Sequence, residues 1–337
     1  MIPDSERGAT IRDVAREAGV SYQTVSRVIN GSDAVRPATR ERVRSAIEGL
    51  GFRPNAAART LATSRSGIIG VLSSQSALYG PTTSIQAIEV AARAAGYRLS
   101  VTSIGTSDRD SIGAGLDFLL NQSIEALVIL APQTGVLEAI RELSIGVPSV
   151  ILEASGIDDG RSLTVDQTRG ARLATRHLID LGHTEIVHLG GPTDWLEATA
   201  RWDGYRSELA EAGLTPRARV VGDWTAEFGY RAGLDLLAQR DFTAVFSGND
   251  QMALGFIHAC RELGVAVPAE ISVVGFDDTP ESAHFAPALT TVRQNFVEIG
   301  NRAIALLLAE LDGKPTLDHD PIAPELILRA STAPASR

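Results

Sequence analysis

Thr10-Ile11-Arg12-Asp13-Val14-Ala15-Arg16-Glu17-Ala18-Gly19-Val20-Ser21-Tyr22-Gln23-Thr24-Val25-Ser26-Arg27-Val28-Ile29-Asn30 sets two short helical patterns on either side of a glycine. Val14, Ala15 and Ala18 recur at helical spacing, and Gly19 ends that run. Thr10 and Asp13 form a Thr-x-x-Asp capping signature ahead of it. Ser21 caps a second helix whose inner face is Val25, Val28 and Ile29. Its outer face carries Tyr22, Gln23, Ser26, Arg27 and Asn30, side chains that hydrogen-bond base edges or phosphates. Two helices joined by so tight a turn form a helix-turn-helix, whose second helix fits the major groove of DNA.

Further along, Asn30-Gly31-Ser32-Asp33 is turn chemistry. Thr39–Leu50 reads as a third helix, with Val43, Ala46, Ile47 and Leu50 completing a small core and Gly51 ending it. Phe52-Arg53-Pro54 is an extended connector, because the residue before a proline avoids the helical region. Asn55–Thr63 is alanine-rich and about two turns long, too short for a stable isolated helix.

Charge separates this head from the rest. The 337-residue chain has a net charge of -10, yet its first 65 residues hold eleven Arg against seven Asp or Glu. A basic head on an acidic body suits a protein that touches phosphates with one end only. The single cysteine, Cys260, excludes an intramolecular disulfide and fits a reducing compartment. No signal-peptide pattern opens the chain, and no apolar run of about 18 residues crosses it. The expectation is a cytoplasmic protein without a membrane span.

From Gly67 the pattern changes to short apolar strands alternating with amphipathic helices. Strands are expected at Gly67–Leu72, Tyr97–Thr102, Ala126–Leu130, Pro148–Leu152, Glu185–Leu189, Ala218–Gly222, Ala244–Ser247 and Ile271–Gly275. Helices such as Gln86–Ala95, Thr168–Leu181, Leu196–Ala212 and Met252–Leu263 fall between them. That alternation means α/β architecture with parallel sheets covered on both faces, and a second series of the same kind means two open subdomains. Ligands bind such sheets beyond the carboxyl ends of the strands. Glu153, Trp224, Asn249 and Asp277-Asp278 fall at those ends. Carboxylates and amides grip hydroxyls and rings cover the apolar face of a sugar, although Asp and Asn at these positions also cap the helices that follow.

The motifs Val20–Val28, Arg53-Pro54-Asn55, Asn249-Asp250-Gln251-Met252-Ala253-Leu254-Gly255, Ile271–Asp278 and Leu289–Gln294 keep their order and spacing along nearly the whole chain. Together they resemble the lactose-repressor family of bacterial transcription regulators. The resemblance implies an N-terminal helix-turn-helix DNA-binding head over 1–54, a hinge helix or linker over 55–65, and a periplasmic-binding-protein-like core of two open parallel-sheet subdomains over 66–337. The N-subdomain would take in about 66–163 and 293–322, and the C-subdomain about 164–292 and 323–333.

It implies a homodimer on double-stranded operator DNA and a small-molecule sugar effector, with no cofactor and no metal. Ser21, Tyr22, Gln23, Thr24, Ser26, Arg27 and Asn30, with Thr10 and Thr39, would face DNA. Asn55, Ala58 and Leu61 would form the hinge, Leu61 as a minor-groove wedge and Ala58 as the close contact between paired hinges. Carried onto the core, the effector positions are Leu78, Pro81, Glu153, Glu197, Arg201, Trp224, Asn249, Asp277, Gln294 and Phe296. Where the family's namesake has aspartate, serine and arginine, this chain has Glu153, Glu197 and Thr106. Glu197 adds negative charge near Arg201, which disfavours a phosphorylated or carboxylated effector. The chain stops at Arg337, soon after the last expected strand, and the resemblance therefore implies a dimer without the extra tetramerising helix.

Two other classes remain at this point. A solute-binding transport protein shares the core but not the helix-turn-helix. An enzyme would need Glu153 and Asp277-Asp278 as an acid/base pair, or His183, His188 or His284 as a base, and no G-x-S-x-G, H-E-x-x-H or P-loop accompanies them.

Overall fold

The computed structural model describes residues 9–29, 32, 34–52, 65–74, 78–105, 108–154, 161–315 and 319–335. Asn30, Asn55, Ala58, Leu61 and Thr106 lie outside them. The chain divides into two compact units, Met1–Ser66 and Gly67–Arg337.

The first unit contains α1 (Ile11–Ala18), α2 (Tyr22–Ile29) and α3 (Pro37–Gly49). Thr10 and Asp13 close a capping box: Asp13 N donates to Thr10 Oγ1 at 3.4 Å and Thr10 N donates to Asp13 Oδ2 at 3.0 Å. Gly19 stops α1 in the left-handed region at φ 63°, where a residue without Cβ carries no steric penalty. Val14, Val25 and Val43, one from each helix, are fully buried and form the centre of a small core with Ala15, Ala18, Val28, Val35 and Ala46. The third helix starts two residues before Thr39, because Pro37 is pre-set for a first helical turn and lacks only a donor that would be unused there.

The second unit holds two sheets. The first is built from β1 (Ile68–Ser74), β2 (Arg98–Ile104), β3 (Ala126–Leu130), β4 (Ser149–Leu152) and β5 (Ser162–Leu163), in the order β2-β1-β3-β4-β5. All its pairings are parallel. Helices α4 (Tyr79–Ala94), α5 (Arg109–Leu120) and α6 (Thr134–Arg141) connect the strands. The second sheet is built from β6 (Ile186–Gly190), β7 (Val220–Val221), β8 (Ala244–Ser247), β9 (Ser272–Asp277), β10 (Thr290–Arg293) and β11 (Glu325–Ile327), in the order β11-β10-β9-β8-β6-β7. Only the β10–β11 pairing is antiparallel. Its helices are α7 (Gln167–Asp180), α8 (Leu196–Glu211), α9 (Ala226–Gln239) and α10 (Asp250–Glu262).

The chain passes between the sheets three times: between β5 and α7, between β10 and α11 (Phe296–Leu311), and between Ile322 and β11. Helix α11 follows a strand of the second sheet but buries Ile299, Ala303, Ile304 and Leu307 with Ile69, Val71, Val128 and Val150 of the first.

Helix α4 and strand β7 differ from their sequence pattern. Helix α4 begins at Tyr79, seven residues before Gln86. Its first turn, Tyr79-Gly80-Pro81-Thr82, has loop composition, yet a first turn needs no N–H at Pro81 and Thr82 N donates to Leu78 O at 3.0 Å. Strand β7 shrinks to Val220–Val221 because it is an edge strand, paired with β6 alone.

Helices α9 and α10 meet backbone to backbone. A Cβ on Gly255 would stand 1.8 Å from Ala226 O and 2.6 Å from Tyr230 N. Neither is a side chain that can swing away. Gly255→Ala should therefore destabilise the core by about 1–3 kcal/mol or more, read as a lower urea midpoint. An unchanged midpoint would mean that the two helices slide apart at no cost.

Candidate functional site

On the first unit, α2 presents Tyr22, 57% exposed, together with exposed Gln23 and Arg27. Ser26 is half-buried on the same helix. Ser21 and Thr24 serve the helix start: Thr24 N donates to Ser21 Oγ at 3.2 Å, and the two hydroxyls lie 3.0 Å apart. Thr10 is engaged in the cap of α1, and Thr39 lies half-buried in the first turn of α3.

In the second unit a cavity of about 320 Å³ lies at the carboxyl ends of both sheets. Glu153 follows β4, Trp224 follows β7, Asn249 follows β8, Asp277 ends β9 and Gln294 follows β10. Leu78 and Pro81 reach it from the start of α4, Glu197 and Arg201 from the first turns of α8, and Phe296 from the start of α11. Every effector position read from the sequence therefore lines this one cavity. Tyr79, Gln167, Trp195 and Gln251 line it as well, and sequence reasoning did not single them out. Trp195 could have been found, since it lies in the segment between the end of β6 and the start of α8. Gln167 and Gln251 carry no such signal: a glutamine in a first helical turn is unremarkable by composition.

Arg201 is 5% exposed, and its guanidinium is held on several sides. Nε donates to Gln167 Oε1 at 2.9 Å, Nη1 donates to the Gly248 carbonyl, and Nη2 lies 3.7 Å from Asp277 Oδ1. Its Cζ sits 3.8 Å over the Phe276 ring. Gln294 continues the chain of contacts, donating to Asp277 Oδ1 at 2.7 Å and accepting from Gln167 Nε2 at 2.8 Å. Burial pushes the Asp277 carboxyl up to about 6 despite the pull of Arg201 and Gln294. Burial likewise pushes Glu197 up to about 7.

Asn249 caps α10: Met252 N donates to its Oδ1 at 2.9 Å, while its Nδ2 donates to Trp224 O at 2.9 Å. The neighbouring Asp278 does not line the cavity, being paired with Arg293 Nε at 2.7 Å and Arg329 Nη2 at 2.6 Å. Trp224 and Asp277 lie at φ 72° and 110°, a region side chains seldom adopt. Such strain costs about 1–3 kcal/mol per residue and gathers at functional sites. Trp224 packs edge-on to Trp195, and Tyr79 edge-on to Phe296, giving the cavity two apolar walls.

No histidine considered as a base reaches the cavity lining. His188 is buried in a stack with Trp202, Tyr205 and Phe246, and burial holds it down to about 3. His183 is bonded to Thr243 and Ser272. His284 is exposed. Among the described residues no group of His, Cys, Asp or Glu is placed to hold a metal ion, and no helix is long and apolar enough to cross a membrane.

Comparison with known proteins matches residues 10–55 to bacterial regulatory proteins of the lacI family and residues 175–332 to a periplasmic binding protein-like domain. The chain is 36% identical over 327 residues to the lactose operon repressor of Escherichia coli K12, covering 96% of this chain and 90% of that protein. It is 35% identical to the HTH-type transcriptional repressor PurR of Pectobacterium atrosepticum, covering 96% and 97%. Among solved structures, the Lac repressor dimer bound to operator and the anti-inducer ONPF superposes with a TM-score of 0.87 at 34% identity, covering 97% of this chain and all of that one.

The Arg201–Asp277 contact has a pH signature. Asp277 is raised in the fold above the 3.8 of an ordinary aspartate, so its contribution to stability is greatest below that value and is lost as pH rises through about 6. Without the guanidinium the folded value rises further and the loss extends to higher pH. Arg201→Met should cost about 3 kcal/mol or more near pH 8 and clearly less near pH 5, where Asp277 is neutral. Urea unfolding at both pH values measures it; equal costs would mean that Arg201 acts through Phe276, Gln167 and the Gly248 carbonyl and not through the charge of Asp277.

Proposed function

This chain belongs to the lacI family of bacterial regulatory proteins, and we propose that it represses sugar-utilisation genes and leaves a palindromic operator when a neutral sugar binds. As a family member it is a DNA-binding transcriptional repressor and not an enzyme. The proposed effector is a galactoside or related glycoside. The observation that carries this reading is the cavity itself: a guanidinium, an amide and carboxyl groups beside aromatic walls, at the strand ends of a core attached to a helix-turn-helix. Asp277, Asn249, Glu153 and Arg201 are assigned to hydroxyls, and Trp224 with Phe296 to the apolar face of the sugar. Glu197, Gln294, Leu78 and Pro81 complete the pocket.

The working form is a homodimer held by the effector cores, with one α2 in each half-site. Two recognition helices about one helical turn apart supply the specificity that one lacks. Asn55, Ala58 and Leu61 are assigned to a hinge that enters the minor groove, on the strength of the family resemblance. Sugar binding favours an arrangement of the two sheets in which the paired hinges separate. The sugar can act only to the extent that it prefers that arrangement, and a coupling of about 1–3 kcal/mol would reduce operator affinity several-fold to about a hundredfold.

Tyr22, Gln23 and Arg27 are assigned to base edges. Arg27→Ala should weaken operator binding by about 1–3 kcal/mol and relax one base position. Binding to a set of singly altered operators decides this, because uniform weakening would reduce Arg27 to a phosphate contact. Asp277→Ala should bind operator like the parent and ignore the sugar. Fluorescence anisotropy on operator DNA, with and without glycoside, tests it, and tighter binding in the presence of glycoside would make the ligand a co-repressor.

A further inference from the structure

Three polar groups of the cavity lining are buried without a hydrogen-bond partner: Oε2 of Glu197, Nε1 of Trp224 and Oε1 of Gln251. Trp224 as a whole is only 7% exposed, so water at the surface does not serve its N–H. Buried donors and acceptors are almost always paired in folded proteins. Three orphans in one cavity mark the places where a ligand supplies the partner.

Charge narrows what the ligand supplies. Glu197 faces two other acidic side chains, Glu153 from the end of β4 and Asp277 from the end of β9, and one cation, Arg201, from its own helix. That guanidinium is already committed to Gln167, Gly248 O and Asp277. Arg141 stands beyond Glu153, at 3.9 Å from its Oε1. Tyr79, lining the same cavity, is itself held protonated by burial and by Asp277. Burial is the largest influence and outweighs the pull of Arg201 toward an ionised Glu197, and a third carboxylate in this space would be repelled by the other two.

We infer that Glu197 meets the effector as a neutral carboxylic acid, donating its proton to an oxygen of a neutral glycoside while Trp224 Nε1 donates to a second oxygen and Gln251 Oε1 accepts from a hydroxyl. The inference rests on the glycoside reading above and deepens it, making Glu197 a specificity-determining residue and effector binding proton-linked. An ether oxygen of a sugar only accepts hydrogen bonds, so it pairs with a protonated carboxyl and is repelled by an ionised one. The same geometry rejects an anionic ligand, which would meet Glu153 and Asp277. Burial raises Glu197 to about 7, which keeps the proton in place on the acid side of neutrality.

The sign follows. The ligand binds the protonated form, so affinity is level below the value of the free protein and falls above it, by up to about tenfold per pH unit. Asp277 titrates on the same flank, and a Glu197→Gln variant separates the two. The glutamine amide still donates but does not titrate.

The experiment is calorimetric titration of the full chain with lactose, cellobiose and methyl β-galactoside from about pH 5.5 to 8.5, in two buffers of different ionisation enthalpy. For any of these that binds, the parent should take up a proton and lose affinity above about pH 7, while Glu197→Gln loses that part of the pH dependence and keeps only the shallower slope due to Asp277. The same pH slope in Glu197→Gln, or an affinity that rises with pH, overturns the inference. A second readout needs no ligand. The infrared band of protonated carboxyls should be stronger in the parent than in Glu197→Gln on the acid side of neutrality, and that difference should vanish on the alkaline side; Asp277 and Asp250, also raised by burial, contribute equally to both proteins. Identical intensity in both proteins on the acid side overturns the assignment. Should none of the glycosides bind at any pH, the effector reading fails by itself, and the infrared band still decides for or against the proton on Glu197.

Discussion

The buried guanidinium of Arg201 is the contact on which the two-sheet core depends. It sits over the Phe276 ring and reaches Gln167, Gly248 O and Asp277, which belong to α7, to the turn after β8 and to the end of β9. Gln167 and Gln294 are joined to each other at 2.8 Å, and they lie where the chain passes between the two sheets. One charged group thus ties two of the connecting segments to the floor of the cavity. Hydrogen bonds to a charge in a low-dielectric interior are stronger than neutral ones and far costlier to leave unmade. Position and charge in this network are therefore coupled: an event that moves Asp277 or Arg201 is felt in the connections between subdomains.

A second set of contacts joins the segment after β3 to the segment before α8. Gln133, just after β3, forms an isolated antiparallel bridge with Trp195, just before α8. Thr134 N donates to Asp194 O at 2.9 Å and Leu196 N donates to Pro132 O at 2.8 Å. Glu197 and Trp195 follow directly on this bridge, so the backbone that joins the sheets also carries two of the cavity's side chains. Hinge closure around a ligand uses a few element-terminal residues of this kind. The bridge and the Arg201 network lie on elements that a bound ligand would touch.

The cavity is also where the fold accepts local cost. Trp224 and Asp277 lie at positive φ, and Glu197, Trp224 and Gln251 carry unpaired buried atoms. Other positions follow their local preferences: the capping box at Thr10, the left-handed Gly19, and the Asn249 cap of α10. Agreement between levels is what lets a sequence specify one structure, and departures from it gather at functional sites.

The amino-acid sequence alone determined the architecture. Hydrophobic spacing of 3.6 around Val14, Ala15 and Ala18 needs no partner to be read, and neither does a five-residue apolar run such as Ala126–Leu130, which is a strand with those same bounds. The strand-end rule likewise located Glu153, Asn249 and Asp277 at the rim, because it depends only on where each strand stops. Tertiary structure decided the rest. Adjacent Asp277 and Asp278 are indistinguishable in sequence, yet one faces the cavity and the other is taken by Arg293 and Arg329, a choice made by backbone torsion and by cations from β10 and beyond β11. Gln167 and Gln251 became part of the cavity only through packing across more than a hundred residues, as the Gln167–Gln294 bond shows. The protonation of Glu197 belongs to the same class, since it depends on burial and on which charges fold beside it, and a one-dimensional chain carries neither distance nor dielectric.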